Sequence, residues 1–189
     1  METKKYNIKA KPTLYNGINY RSMLEARWAA FFDLVGWKYQ YEPFELNGRV
    51  PDFIIYCNSL SYPGINIIVE VKPKHLITID FLESLYDTYY KTPYHILILD
   101  ENPFYVTEKQ GYVYIGKALQ NCGAEYLPTD FENVNMKSVD EIGSSYMMFD
   151  GMIKGEIERK LFVWEDEFEH KELKNLWKKS QNIIQFKSY

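Results

Sequence analysis

The feature that most constrains this chain is the stretch Ile65-Asn66-Ile67-Ile68-Val69-Glu70-Val71-Lys72-Pro73. It is short, apolar and rich in β-branched residues, with Gly64 before it and a proline at its end, so it reads as a strand. Side chains alternate across a strand. Ile65, Ile67, Val69 and Val71 therefore share one face, and Asn66, Ile68, Glu70 and Lys72 share the other. A carboxylate and an ammonium on so apolar a strand are costly to desolvate without partners. Taken alone, the pair is an ordinary strand end with two solvated charges. Anything more depends on what the flanking segments bring to it.

Upstream, residues 1–20 contain lysines, Pro12 and Asn16-Gly17, and read as an arm with one short strand or turn. Ser22-Met23-Leu24-Glu25 fits a capping box, with Ser22 as N-cap and Glu25 at the third helical position. Leu24, Trp28, Phe31, Phe32 and Val35 follow at helical spacing, and Gly36 is placed to end the helix. Trp37 to Glu42 alternates aromatic and polar residues as a half-buried strand stopped by Pro43. Asn47-Gly48 is a hairpin-type turn signal and Pro51 to Tyr56 a second strand, so three successive strands form an antiparallel meander.

Downstream, Thr78 to Lys91 carries Phe81, Leu82, Leu85, Tyr89 and Tyr90 at helical spacing, and His95 to Leu99 is a nearly all-apolar strand. A strand, a helix and a buried strand make a βαβ crossover, which predicts parallel pairing with the central strand. Gly111 to Ile115 is expected to add an edge strand. Beyond residue 117 the pattern weakens. Ser145 to Phe149 and Lys160 to Trp164 read as strands joined through Asp150-Gly151. A last helix is expected from about Glu169 to Phe186, with Leu173, Leu176, Trp177, Ser180 and Ile184 on one face and Lys171, Lys174, Lys178 and Lys179 flanking it. The expected class is α/β with a mixed central sheet. Residues 1–117 form the core with its basic arm, and residues 118–189 form an α+β extension whose final helix packs on that core.

The bulk numbers narrow the function classes. Of 189 residues 46% are hydrophobic and 25% charged, as in a globular domain. No apolar run approaches the ~20 residues that span a bilayer, and the N-terminus lacks a signal-peptide core, so a cytoplasmic location without membrane contact is expected. Cys57 and Cys122 are far apart and form no C-x-x-C, which fits plain thiols in a reducing compartment and no structural zinc. His75, His95 and His170 are scattered. A net charge of −4 argues against strong non-specific nucleic-acid affinity, which comes from cations neutralising phosphates. The charge is uneven, however: Lys4, Lys5, Lys9, Lys11, Arg21 and Arg27 make the N-terminus basic, and Glu165 to Glu169 is acidic. Such a surface is compatible with a nucleic-acid substrate.

Asp52 starts one strand, and Glu70 and Lys72 end the next. In an antiparallel pair these positions lie side by side, and a helix packed on the sheet can bring Glu25 to the same point. Carboxylates so placed raise one another's pKa, a conflict that a hard divalent cation such as Mg²⁺ removes. A lysine beside the metal can orient or deprotonate the attacking water, or stabilise charge on a phosphate.

Pro51-Asp52 followed by Glu70-Val71-Lys72 resembles the signature of the PD-(D/E)XK nuclease superfamily. Tyr20-Arg21-Ser22-Met23-Leu24-Glu25-Ala26-Arg27-Trp28-Ala29 looks like the first helix of its phage- and bacterium-associated members, where an R-S-x-x-E segment supplies a further glutamate. Tyr41-Glu42-Pro43 suits that group too, and the resemblance spans roughly residues 15–100.

It implies a restriction-endonuclease-like αβββαβ core and Mg²⁺- or Mn²⁺-dependent hydrolysis of phosphodiesters, usually in DNA. Asp52, Glu70 and the Val71 carbonyl would be metal ligands and Lys72 the catalytic lysine. Glu25 would be an auxiliary carboxylate acting on a metal or through water. Read from their positions and not from the resemblance, Arg21, Lys74 and Lys11 are candidate nucleic-acid contacts, the alternative for Arg21 being a merely exposed charge. The helix after E-x-K has Tyr86, Tyr89 and Tyr90 but no glutamine, which disfavours the processive, RecB-like exonuclease branch. The expected activity is that of a phage- or mobile-element-associated endodeoxyribonuclease, with a protein partner or a homodimer compatible with it. The alternatives are the strand-cleaving subunit of a transposition complex, inactive without its partner, and a non-catalytic binding module on a nuclease fold.

Overall fold

The computed structural model describes residues 10–56, 66–89, 92–102, 104–106, 113–119 and 167–185. The expected strands at 145–149 and 160–164 lie outside these residues, as do Ile65, Tyr90, Cys57, Cys122 and the lysines of the first nine positions.

The chain is mixed α/β. It opens with a hairpin of β1 (Thr13–Tyr15) and β2 (Ile18–Tyr20). Asn16 and Gly17 turn it with φ of 47° and 80°, the paired left-handed conformation of a two-residue hairpin loop. Helix α1 (Met23–Val35) follows, and Ser22 caps it as the sequence predicts, its Oγ accepting from the Glu25 N–H. Gly36 closes it at φ 77°. Three antiparallel strands come next: β3 (Tyr39–Tyr41), β4 (Phe53–Tyr56) and β5 (Asn66–Val71). The Asn47-Gly48 turn forms as expected, with a backbone bridge between Leu46 and Arg49. Helix α2 (Ile79–Tyr89) then leads to β6 (His95–Leu99), which pairs in parallel with β5 as the crossover requires.

The predicted edge strand is where the sequence reading is corrected. The strand itself exists as β8 (Val113–Ile115), but it pairs with β7 (Phe104–Val106) in a separate two-stranded sheet. The edge beside β6 is taken by β9 (Lys117–Leu119), antiparallel, giving the order β3-β4-β5-β6-β9. Gly116 makes the change of sheet possible. It has φ 57°, and a Cβ there would collide with the Ile98 carbonyl and the Leu99 side chain.

Helices cover both faces of the sheet. On one face Trp28, Phe31 and Phe32 of α1 pack on Phe53, Ile55, Ile67, Val69 and Leu97. On the other, Leu82, Leu85 and Tyr89 of α2 pack on Ile68, Ile96 and Ile98. The alternation read from β5 is realised, with Ile67, Val69 and Val71 in the first core and Ile68 in the second. Helix α3 (Glu167–Gln185) adds Leu173, Trp177 and Ile184 to the first core, and its lysines at 171, 174, 178 and 179 are exposed. Trp28 and Trp177 lie 4.4 Å apart between ring centroids, and the Arg27 guanidinium sits 3.8 Å over the Trp177 ring. No helix of the described residues is long and apolar enough to cross a membrane.

Gly116→Ala should cost about 2–4 kcal/mol, because it combines a left-handed backbone with a collision against a buried strand. Urea denaturation of the variant and wild type measures this directly.

Candidate active site

The sequence brings chemistry to one place through strand register. Phe53 pairs with Val69, so the residues before β4 lie beside the end of β5. The Val71 N–H donates to Asp52 Oδ2 at 2.7 Å, while the Lys72 N–H turns the other way to the Leu99 carbonyl at 2.9 Å. Val71 therefore presents its backbone toward β4. Continuing the register sets it opposite Pro51, which has no N–H to give to the Val71 carbonyl.

Asp52 and Glu70 are almost completely buried, at 1% and 2% exposure. The Lys72 ammonium lies between them, 3.5 Å from Asp52 Oδ2 and 3.7 Å from Glu70 Oε2. Each carboxylate has its other oxygen on an arginine. The Arg21 guanidinium pairs with Asp52 Oδ1, and Arg49 Nε lies 3.3 Å from Glu70 Oε1. Tyr89 on α2 donates its hydroxyl to the same Glu70 oxygen at 3.0 Å. Burial first, and then the neighbouring Asp52 charge, raise the Glu70 carboxyl above the ordinary glutamate range; Arg49, Lys72 and Tyr89 oppose the shift without cancelling it.

Glu25 joins this group at one remove. Its Oε1 accepts from Ser22 at 2.8 Å, and its Oε2 accepts from the Tyr41 hydroxyl at 2.7 Å and the Arg21 N–H at 3.2 Å. Arg21 links it to Asp52, with Nε 3.9 Å from Glu25 and 2.9 Å from Glu42. Burial works against the Arg21 charge, but Asp52, Tyr41, Glu25 and Glu42 outweigh it and hold the guanidinium above its usual pKa. The backbone that carries Arg21 is anchored by Tyr20, whose ring is 4.5 Å from Tyr41 and 6.1 Å from Phe53 between centroids.

The four predicted residues thus fall into two tiers. Asp52, Glu70 and Lys72 meet directly, and Glu25 reaches them through Arg21. Among the described residues, no three His, Cys, Asp or Glu side chains gather into one metal-holding group. The donor chemistry nonetheless suits a hard divalent ion, since two adjacent buried carboxylates and a backbone carbonyl facing a proline supply only oxygen. Lys74 is exposed on the turn after β5, where its N–H binds Glu101, and Lys11 is exposed at the start of the first hairpin. A largely apolar cavity of about 250 Å³ between α1 and α3 borders the site through Pro73 but contains none of its carboxylates.

Arg49 went unread in the sequence and Tyr89 was read only as part of the helical stripe after E-x-K, without a place at the site; both left signals. The Asn47-Gly48 turn necessarily folds the following residue back over the preceding chain. A tyrosine on the buried stripe of α2 needs a partner for its hydroxyl. No protein-family model, curated protein or solved structure matches this chain.

The direction of the Glu70 shift sets a pH dependence. A raised acid is still protonated in the folded chain at a pH where the unfolded chain has released the proton. Folding is therefore progressively disfavoured as pH rises from the ordinary value through the folded one. In EDTA, the Tm of Glu70→Gln minus that of wild type should become more positive as pH rises from 4 to 8. A difference constant over that range would contradict the assigned environment.

Proposed function

We propose that the chain is a metal-dependent endodeoxyribonuclease of the PD-(D/E)XK type built on a restriction-endonuclease-like core. The observation that carries this reading is the Asp52–Glu70 pair, buried side by side at the end of β5 with the Lys72 ammonium between the two carboxylates. Structural ion pairs on strand ends are ordinarily exposed and single. A pair of buried carboxylates held at one point by three cations is costly, and such arrangements cluster at catalytic sites.

In this reading Asp52, Glu70 and the Val71 carbonyl would hold Mg²⁺, or Mn²⁺ as a substitute. Held there, the ion would supply a water of lowered pKa and polarise the phosphodiester. The remaining work belongs to the chain's own groups. Lys72, whose side chain is 28% exposed, reaches from the buried pair toward solvent and can orient the attacking water or meet charge on the phosphate. Glu25 and Tyr41 hold the Arg21 backbone, so that the guanidinium arrives at Asp52 in a set direction. With 54% of its side chain exposed, Arg21 can also face a DNA phosphate, joined by Lys74 and Lys11 for contacts to the backbone.

The test is cleavage of single-stranded, duplex, nicked and branched DNA in Mg²⁺ or Mn²⁺. Wild type should cut at least one substrate. Asp52→Ala and Lys72→Ala should each lower the rate by about 10²–10³-fold, the range for removing one group that stabilises transition-state charge. Variants that cut as fast as wild type would sink the reading. Metal binding without cleavage by the chain alone would move it to the partner-dependent subunit of a transposition complex, or to a binding module.

A further inference from the structure

The two buried carboxylates share one pattern of ion pairs. Each has an inner oxygen facing Lys72, namely Asp52 Oδ2 and Glu70 Oε2. Each has an outer oxygen on an arginine from a separate loop, Arg21 for Asp52 Oδ1 and Arg49 for Glu70 Oε1. The Lys72 contacts to these inner oxygens are long, at 3.5 and 3.7 Å, and are made by a flexible ammonium, while Asp52 Oδ2 also accepts the Val71 N–H at 2.7 Å and keeps a second lone pair for a cation.

The outer clamp at Glu70 is built rigidly. The Asn47-Gly48 turn is pinned to α2 by a hydrogen bond of 2.6 Å from Asn47 Nδ2 to the Thr88 carbonyl. Arg49 itself is anchored at several points: its Nη1 donates to Ser84 Oγ at 3.3 Å, its guanidinium carbon lies 5.5 Å from the centre of the Phe81 ring, and its backbone pairs with Leu46. Only 25% of its side chain is exposed. An arginine held by a turn, a helix and an aromatic ring has little freedom to leave, whereas the lysine between the inner oxygens has.

We infer that Arg49 is a positioning residue which, paired with Arg21 at Asp52, braces the outer oxygen of Glu70 so that the inner oxygens of both carboxylates converge on one exchangeable cation place, now spanned by the Lys72 ammonium. This rests on the metal-dependent reading above, and it assigns a role to a residue outside the D…E-x-K pattern. Two physical effects of Arg49 on a divalent ion have opposite signs, which makes the role measurable. If Arg49 merely adds positive charge beside the site, its removal strengthens metal binding. If it fixes the ligand's orientation, its removal weakens metal binding, as loss of an outer partner of a ligating group does.

The experiment is calorimetric titration of Mn²⁺ into the full chain without DNA, for wild type, Arg49→Gln, Arg49→Lys and Lys72→Gln, with circular dichroism and Tm recorded on the same samples. Arg49→Gln should bind Mn²⁺ about tenfold more weakly. Arg49→Lys, which keeps the charge and loses the planar fork, should fall between Arg49→Gln and wild type. Lys72→Gln should bind more tightly than wild type, because the competing ammonium is gone. If Arg49→Gln does not fold, Arg49→Lys carries the test, and its expected result is a loss of about threefold. Affinity unchanged or increased in the Arg49 variants would overturn the bracing role, and weaker binding by Lys72→Gln would overturn the assignment of the inner place. A wild type that neither binds Mn²⁺ nor cleaves DNA would remove the metal reading and this inference with it. A wild type that binds and cleaves, beside unaffected Arg49 variants, would remove only the inference.

Discussion

Two carboxylates buried within reach of one ammonium are the interaction on which the rest of this structure turns. Bringing Asp52 and Glu70 out of water beside each other is unfavourable twice over, by desolvation and by mutual repulsion, and the raised Glu70 carboxyl records both. Such a pair persists only where surrounding elements supply cations and hydrogen-bond donors. Much of the chain outside the two hydrophobic cores does this. The first hairpin delivers Arg21, the Asn47-Gly48 turn delivers Arg49, β5 delivers Lys72 and the Val71 N–H, and α2 delivers Tyr89.

The scaffold makes these deliveries accurate. Parallel pairing of β5 with β6 and antiparallel pairing with β4 fix the end of β5 from both sides. The cap of α1 is shared with the site, since the glutamate that completes it also accepts from Tyr41 and from the Arg21 backbone. Trp28 ties the same helix to the end of β6 by donating to the Asp100 carbonyl at 3.0 Å. Glu25 therefore has a structural task whatever chemistry it also serves, and its place one contact away from Asp52 follows from Arg21 standing between them.

Much of the fold was legible because it depends on local periodicity. The cap at Ser22, the stop at Gly36, the alternation of β5 and the stripe of α3 each arise from neighbours in sequence, and each forms where its pattern lies. The edge of the sheet was not legible. Val113–Ile115 has the stronger strand composition, yet Lys117–Leu119 holds the place beside β6, because a left-handed glycine lets the chain leave one sheet and join another. Strand propensity says that a segment is extended and is silent on which edge receives it.

By itself the sequence determined the alternation that puts Glu70 on the face opposite Val69 and Val71. It also determined the turn and cap residues that bound each element. These are properties of backbone sterics and of spacing along one chain. Only the tertiary structure decided which oxygens of Asp52 and Glu70 face inward, that Arg49 and Tyr89 touch Glu70, and that Arg21 stands between Asp52 and Glu25. The reason is geometric: those contacts join residues far apart in sequence, and a side chain's direction at the end of a strand is set by the partners that packing brings to it.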